Sequence, residues 1–322
     1  MRPMLRRIIP LGVLAALGAF GLTRLFAPAP LPPLPQMDAA EFAAAYARPL
    51  ETPTGPMPVY HLGHSLVGRD MPAMLAQLAG HEHASQLGWG ASLRQHWLGD
   101  VPGFTQENAS AAFRPAAEAL DTGGYGAVVL TEMVEIRDAI RYHDSARHLA
   151  LWAAKARAAR PEVRLYLYET WHRLDDAEGW LARLDADLAR YWQDDLLRRA
   201  LTQPGVAPMH VIPGGQVMAA LVRAIDAGTV PGLTRRDDLF ARNADGSTDP
   251  IHLNDLGAYV IALTHFAVLY HQSPEGLPHV LTRADGTSAD ALPDAAVPVV
   301  QQLVWRVVTG YPATGVAAPS DS

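Results

Sequence analysis

Two short stretches, far apart in the chain, hold residue types that could do nucleophilic chemistry together. The first is Gly63-His64-Ser65-Leu66, just after a short apolar run and just before residues with helical spacing. A serine on a strand-to-helix turn exposes its Oγ and holds its own N–H at a helix N-terminus, where an oxyanion can be stabilised. The same position also suits a plain helix cap. A serine hydroxyl is a weak nucleophile without a base. The second stretch, Asp249-Pro250-Ile251-His252, can supply one. Asp-x-x-His can set a carboxylate beside one imidazole nitrogen and leave the other nitrogen free for a partner. Asn243, Asp245, Gly246 and Ser247 ahead of it are loop formers, and a helix is expected from near Asn254. Taken singly, this motif reads as well as a capping aspartate beside an exposed histidine.

Other polar constellations are weaker. His81-Glu82-His83 lacks the four-residue spacing that puts two histidines on one helix face, and with His96 it reads as solvated loop histidines, so no metal is expected. His143 and His148 are five apart, on different helix faces. Trp89, Trp97 and Trp171 fall near expected strand ends, where an indole can be a platform for a sugar ring or part of the core. Lys155 is the only lysine, with no glycine-rich loop before it, and there is no cysteine. Schiff-base, P-loop, thiolate and Cys-ligated metal chemistry are thereby set aside, and no cofactor is called for.

The elements that must position these residues alternate. Short strands are expected at 57–62, 127–130, 163–168 and 209–212. Helices are expected at 67–79, 109–120, 138–159, 177–201, 215–227 and 254–270, with one apolar segment at 295–308. Strands of four to six residues alternating with longer helices predict an α/β fold with a parallel sheet. In such sheets sites form beyond the carboxyl ends of the strands, where Ser65 falls.

The chain has 322 residues, with 49% apolar and 18% charged residues, enough for a sizeable core. Net charge is −7, which offers nucleic acid no basic surface. Arg2, Arg6 and Arg7 precede an apolar stretch of 15 residues from Ile8 to Leu22, and Arg24 ends it short of a spanning helix. Residues 1–26 therefore predict a secretory signal, with an uncleaved N-terminal membrane anchor as the alternative. Either places the remainder in the periplasm or outside the cell. Removing the segment through Pro35 leaves a charge of −11. Residues 27–56 read as a Pro-rich spacer and a lead-in helix, 57–272 as the α/β domain, and 273–322 as an extension packing on it with a loose tail.

Gly-x-Ser-Leu early in an α/β domain, with Asp-x-x-His before its last long helix, resembles the SGNH (GDSL-type) hydrolase superfamily over roughly residues 59–270. The resemblance implies a three-layer α/β/α, flavodoxin-like fold and a metal-free esterase with Ser65 as nucleophile, His252 as base and Asp249 as its partner. It matches Gly88-Trp89-Gly90-Ala91-Ser92-Leu93 to the family's second block, with Gly90 as oxyanion donor. It departs at the third block, where an asparagine is expected and Thr131-Glu132-Met133 stands. An ionised glutamate cannot donate to an oxyanion. The expectation is that Glu132 accepts hydrogen bonds from backbone N–H groups or from Arg137 or His64. Thr131, Gln95 and Asn108 remain as candidate donors. His64 stands where the family most often has Asp or Asn and is expected to support the turn. A divergent, mostly uncharacterised subset of the superfamily shares the glutamate and an aromatic strand end like Tyr166-Leu167-Tyr168-Glu169-Thr170-Trp171. The substrate class implied is a small-molecule or carbohydrate ester, with acetyl as the leading acyl group. An O-acyltransferase on the same triad and an inactive binding protein are the alternatives.

Overall fold

The computed structural model describes residues 31–317. The N-terminal segment 1–26 lies outside them, and so does its reading as a signal or anchor. Among the described residues, no helix is long and apolar enough to cross a membrane. The body of the molecule begins at Leu34.

The elements follow in chain order. Helix α1 (Ala39–Ala45) leads into β1 (Val59–His64), α2 (Asp70–Ala79), β2 (His83–Gly88) and α3 (Leu93–Leu98). Next come β3 (Ala127–Leu130), α4 (Ile136–His143), α5 (Ser145–Ala159) and β4 (Arg164–Glu169). Then α6 (Trp180–Asp187) runs into a π-helical stretch, Leu188–Leu197, before β5 (His210–Pro213) and α7 (Gly214–Asp226). A hairpin of β6 (Phe240–Arg242) and β7 (Thr248–Leu253), helix α8 (Asp255–Tyr270) and helix α9 (Val297–Gly310) complete the body. Strands β1 to β5 form one parallel sheet in the order β2-β1-β3-β4-β5. This is the flavodoxin-like order, and its direction of winding reverses between β1 and β3.

Alternation along the strands builds two cores. Val59, Val129, Tyr166 and Ile212 face α2, α7, α8 and α9. Tyr60, Leu62, Val128, Leu130 and Leu167 face α5, the 116–121 helix and the π-helical stretch. Helix α8 is apolar nearly all round because nearly every residue in it is buried. The segment 295–308 belongs to the same core: Val300, Leu303, Val304 and Val308 of α9 lie in it.

Several elements differ from the sequence reading. The helix expected from residue 67 starts at Asp70, because 65–67 form a turn in which the Val67 N–H donates to the His64 carbonyl at 2.9 Å. The helix expected over 109–120 shrinks to Ala116–Asp121, since Phe113 instead makes a parallel bridge to Ser85 on the sheet edge. The long helix over 138–159 is two, broken at Asp144 with φ 49°, a left-handed value that aspartate tolerates better than most residues. Strand β2 was not read at all; its sequence HASQLG holds no β-branched residue.

Candidate active site

The turn after β1 carries Ser65. Strand β1 pairs with β2 so that His64 stands opposite Gly88, and with β3 so that Leu62 stands opposite Leu130. The residues following β1, β2 and β3 therefore collect at one edge, at the switch point of the sheet. Gly63 is dictated by a close approach: a Cβ there would lie 2.7 Å from Thr131 Cβ.

The Asp-x-x-His segment lies on β7, a strand of the hairpin, rather than in an open loop. One carboxylate does three jobs at this spacing. Asp249 Oδ1 accepts the Ile251 and His252 N–H groups at 2.8 and 2.9 Å, and Oδ2 accepts His252 Nδ1–H at 2.9 Å. That bond fixes the tautomer, so Nε2 is left to accept a proton. Ser65 Oγ lies 2.9 Å from it. Partial burial alone would raise the Asp249 carboxyl, but the bonds from the His252 backbone and ring and from Ile251 outweigh it and hold the group below the ordinary carboxylate range. The hairpin is fastened from the segment after β4: Trp171 Nε1–H donates to the Ile251 carbonyl at 2.8 Å, and Leu174 N–H to the Pro250 carbonyl at 2.7 Å. A cleft of about 100 Å³ opens at Ser65 and His252, lined also by Arg69, Met71, Trp171 and Ile261.

Gly90 lies on the turn between β2 and α3 with φ +54°, and no atom stands within 4 Å of where its Cβ would be. Its N–H makes no hydrogen bond among the described residues. Both ends of that turn are held. Trp89 N–H donates to the Pro102 carbonyl at 2.7 Å, and Ser92 caps α3 in a capping box with Gln95. Ser92 Oγ also meets His143 Nδ1 at 2.8 Å, a tie that sequence spacing gave no hint of.

Glu132 is fully buried, yet its carboxyl faces α3. Oε1 accepts Met133 N–H at 2.8 Å and Leu93 N–H at 3.3 Å, while Oε2 has no partner. Burial pushes the acid up to about 7, and the N–H bonds pull it back only in part. The Ser145 hydroxyl is near enough to act on the charge but off hydrogen-bonding geometry. So the expected backbone donors are present and the expected side-chain donors are not. Arg137 pairs with Glu135 and Glu178, and His64 Nε2–H donates to the main-chain carbonyl of Glu132 at 2.8 Å.

His64 accepts the Leu66 N–H at 3.3 Å on its other nitrogen, and burial pushes its pKa down to about 4. With both nitrogens occupied it props the turn, as expected, and offers nothing to a ligand. Of the two roles open to Trp171, a platform or part of the core, the burial favours the second. The side chain is 1% exposed, so it is a wall of the cleft and a fastening for the hairpin rather than an open platform. Gln95 and Asn108 are committed elsewhere: Gln95 to the capping box, and Asn108 to both backbone groups of Leu87. Thr131 Oγ1 is buried without a partner. His81 and His96, read as solvated loop histidines, are buried, and His96 in α3 donates its Nε2–H to the Gly63 carbonyl at 2.7 Å while Nδ1 meets the Gln86 amide at 2.9 Å. No cluster of three or more His, Cys, Asp or Glu able to hold a metal occurs among the described residues.

With this geometry in hand, comparison with known proteins gives a likeness of fold. A DUF4886 family protein from Bacteroides uniformis superposes with a TM-score of 0.50 at 14% identity, over 80% of this chain and 96% of that one. A protein described as a GDSL-like lipase, from Parabacteroides merdae, superposes with a TM-score of 0.39 at 12% identity, over 67% of this chain and 96% of that one. No protein-family model matches the chain, and no curated protein does.

Proposed function

We propose that the protein is an exported serine hydrolase that cleaves carboxylic esters, with short acyl groups, acetyl first, on a carbohydrate alcohol. One observation carries the reading: Ser65 Oγ, His252 and Asp249 form a continuous chain of hydrogen bonds, each 2.9 Å long, on a strand-to-helix turn at the sheet's switch point. In the reaction, Ser65 Oγ attacks the ester carbonyl carbon as its proton passes to His252 Nε2. Asp249 holds the Nδ1–H and stabilises the imidazolium. The Gly90 N–H donates to the oxyanion. Collapse expels the alcohol, which takes the proton from His252, and water then repeats the sequence on the acyl-serine to release the acid. The cleft of about 100 Å³ supports a short acyl group over a long chain. The bonds of Glu132 Oε1 to the Met133 and Leu93 N–H groups weaken the objection raised by its residue type, since they give that oxygen a use other than at the oxyanion.

The test is turnover of nitrophenyl esters from acetate to octanoate by the wild type and by Ser65→Ala, with fluorophosphonate labelling. Labelling at Ser65 and a loss of several decades in Ser65→Ala support the reading. A Ser65→Ala protein within tenfold of wild type, or labelling at another residue, overturns it.

A further inference from the structure

Trp89 is exposed yet immobilised. Most large apolar side chains among the described residues are covered, but Trp89 leaves 54% of its surface to solvent. Its indole nevertheless has little freedom. One face lies so close over Gly103 that a Cβ there would run into the ring. Nε1–H donates to Glu107 Oε1 at 2.8 Å, and the Trp89 backbone N–H donates to Pro102 at 2.7 Å. Gly103 has φ +63°, so the chain beneath the ring is shaped by a residue without a side chain in a conformation that disfavours one. A side chain held in one rotamer with an open face gives up rotamer entropy without gaining burial on that face.

The same segment reaches the proposed catalytic cleft. Arg69, which lines the cleft beside Ser65, donates through its guanidinium to the backbone carbonyls of Gln106 and of Glu107, the latter at 3.1 Å. Glu107 thus ties the Trp89 indole to the cleft wall. Trp89 itself directly follows Gly88, the register partner of His64, so it leaves the sheet at the same end as the Ser65 turn. It is also the residue next to Gly90.

We infer that Trp89 is a stacking platform for a pyranose ring on the alcohol side of the scissile ester, an inference that rests on the hydrolase reading above. Its N–H is already committed to Glu107, so the indole has only its open π face to offer a ligand. The axial C–H face of a sugar fits such a surface, and its rim of hydroxyls needs polar neighbours. Glu107, bonded to the indole N–H at 2.8 Å, supplies one, and the exposed Gln106 precedes it in the chain. An alkyl chain would need a continuous apolar strip. Here the indole edge is taken up by the Glu107 carboxylate, and Phe104, 39% exposed, packs edge-on against Phe113.

The experiment separates this inference from the reaction it rests on. Binding of unsubstituted β-1,4-linked tetrasaccharides of xylose, glucose and N-acetylglucosamine is measured calorimetrically on full-chain Ser65→Ala, which needs no turnover. At least one binds, and Trp89→Ala in that background weakens it about tenfold, while Trp89→Phe retains most of the affinity. In the active protein, the ratio of kcat/KM for an acetylated tetrasaccharide to that for nitrophenyl acetate falls about tenfold in Trp89→Ala and much less in Trp89→Phe. Sugar binding that depends on residue 89 without any ester turnover upholds the platform and removes the hydrolase reading. Ester turnover with no tetrasaccharide binding at roughly 10 mM, or with binding indifferent to Trp89→Ala, overturns the platform.

Discussion

Replacing Glu132 with glutamine should make the protein more stable, with a gain set by pH. In the folded chain, burial raises the Glu132 carboxyl from 4.5 to about 7. Between those values the folded state holds a proton that the unfolded state has released, so stability falls as pH rises through this window and levels off above about 7. At ~1.4 kcal/mol per unit, the accumulated penalty is about 3 kcal/mol. Glutamine does not ionise, and its Oε1 can keep the bonds from Met133 and Leu93 N–H. Its amide would face the Ser145 hydroxyl, which has no partner now. Glu132→Gln should therefore melt with the wild type near pH 4.5 and about 5–10 °C above it at pH 8. Thermal melts across pH 4.5–8 measure the gap. A gap independent of pH, or a glutamine variant less stable than wild type at pH 8, would refute the reasoning. Glu132→Ala leaves two N–H groups and a cavity, and should destabilise by about 2–4 kcal/mol even at pH 5.

Ser65→Ala and His252→Ala should each cost several decades in kcat/KM, and the double variant little more than either; additive losses would place one of them outside the triad. Trp171→Phe keeps the ring in the wall of the cleft but deletes the bond to the Ile251 carbonyl, so urea melts should show a loss of about 1–2 kcal/mol together with a fall in kcat. An unaltered kcat would mean that the hairpin holds His252 without this fastening. Acid should unfold the protein early. His64 and His96 are buried neutral, each pushed down from 6.5 to about 4, so the unfolded state gains their protons first and stability falls as pH drops below ~6.5 toward 4. The cost is about 2 kcal/mol each at pH 5. Measuring it in the Glu132→Gln background removes the opposing titration, and a stability that stays flat from pH 7 to 5 would contradict it.

How much was legible follows from what each residue's signal depended on. Asp249 and His252 are three apart and meet through one local turn, so their spacing was enough to bring them together. Ser65 could be paired with them only through a resemblance, because 187 residues separate it from His252. Strands β1, β3, β4 and β5 were legible as apolar runs because both faces of the parallel sheet are covered by helices, out to the β5 edge. Strand β2 was not, because HASQLG holds no β-branched residue and its Gln86 is buried polar, satisfied from outside the strand by the Ala116 N–H and by His96. The break at Asp144 was hidden because helical periodicity runs through it. The partners of Glu132 were half legible: a buried carboxylate must find donors, but which N–H groups lay near it depended on where α3 docks.

That docking gives the glutamate a use at a position where its charge could not have served an oxyanion. The turn 89–92 is the only connection between β2 and α3, and Gly90 sits in its middle with an unpartnered N–H. One end of the turn is set by the sheet, through Gly88 opposite His64. The other end needs an independent anchor, because α3 is only six residues long and too short to hold itself. Glu132 provides it by accepting the first helical N–H of α3 while its own main-chain carbonyl accepts from His64, which in turn props the Ser65 turn. One residue thus ties the serine turn and the glycine turn to β3. The asparagine expected at this point would have contributed a donor. The glutamate contributes the spacing between two turns, and the energetic cost is a buried acid whose proton is half lost near neutral pH.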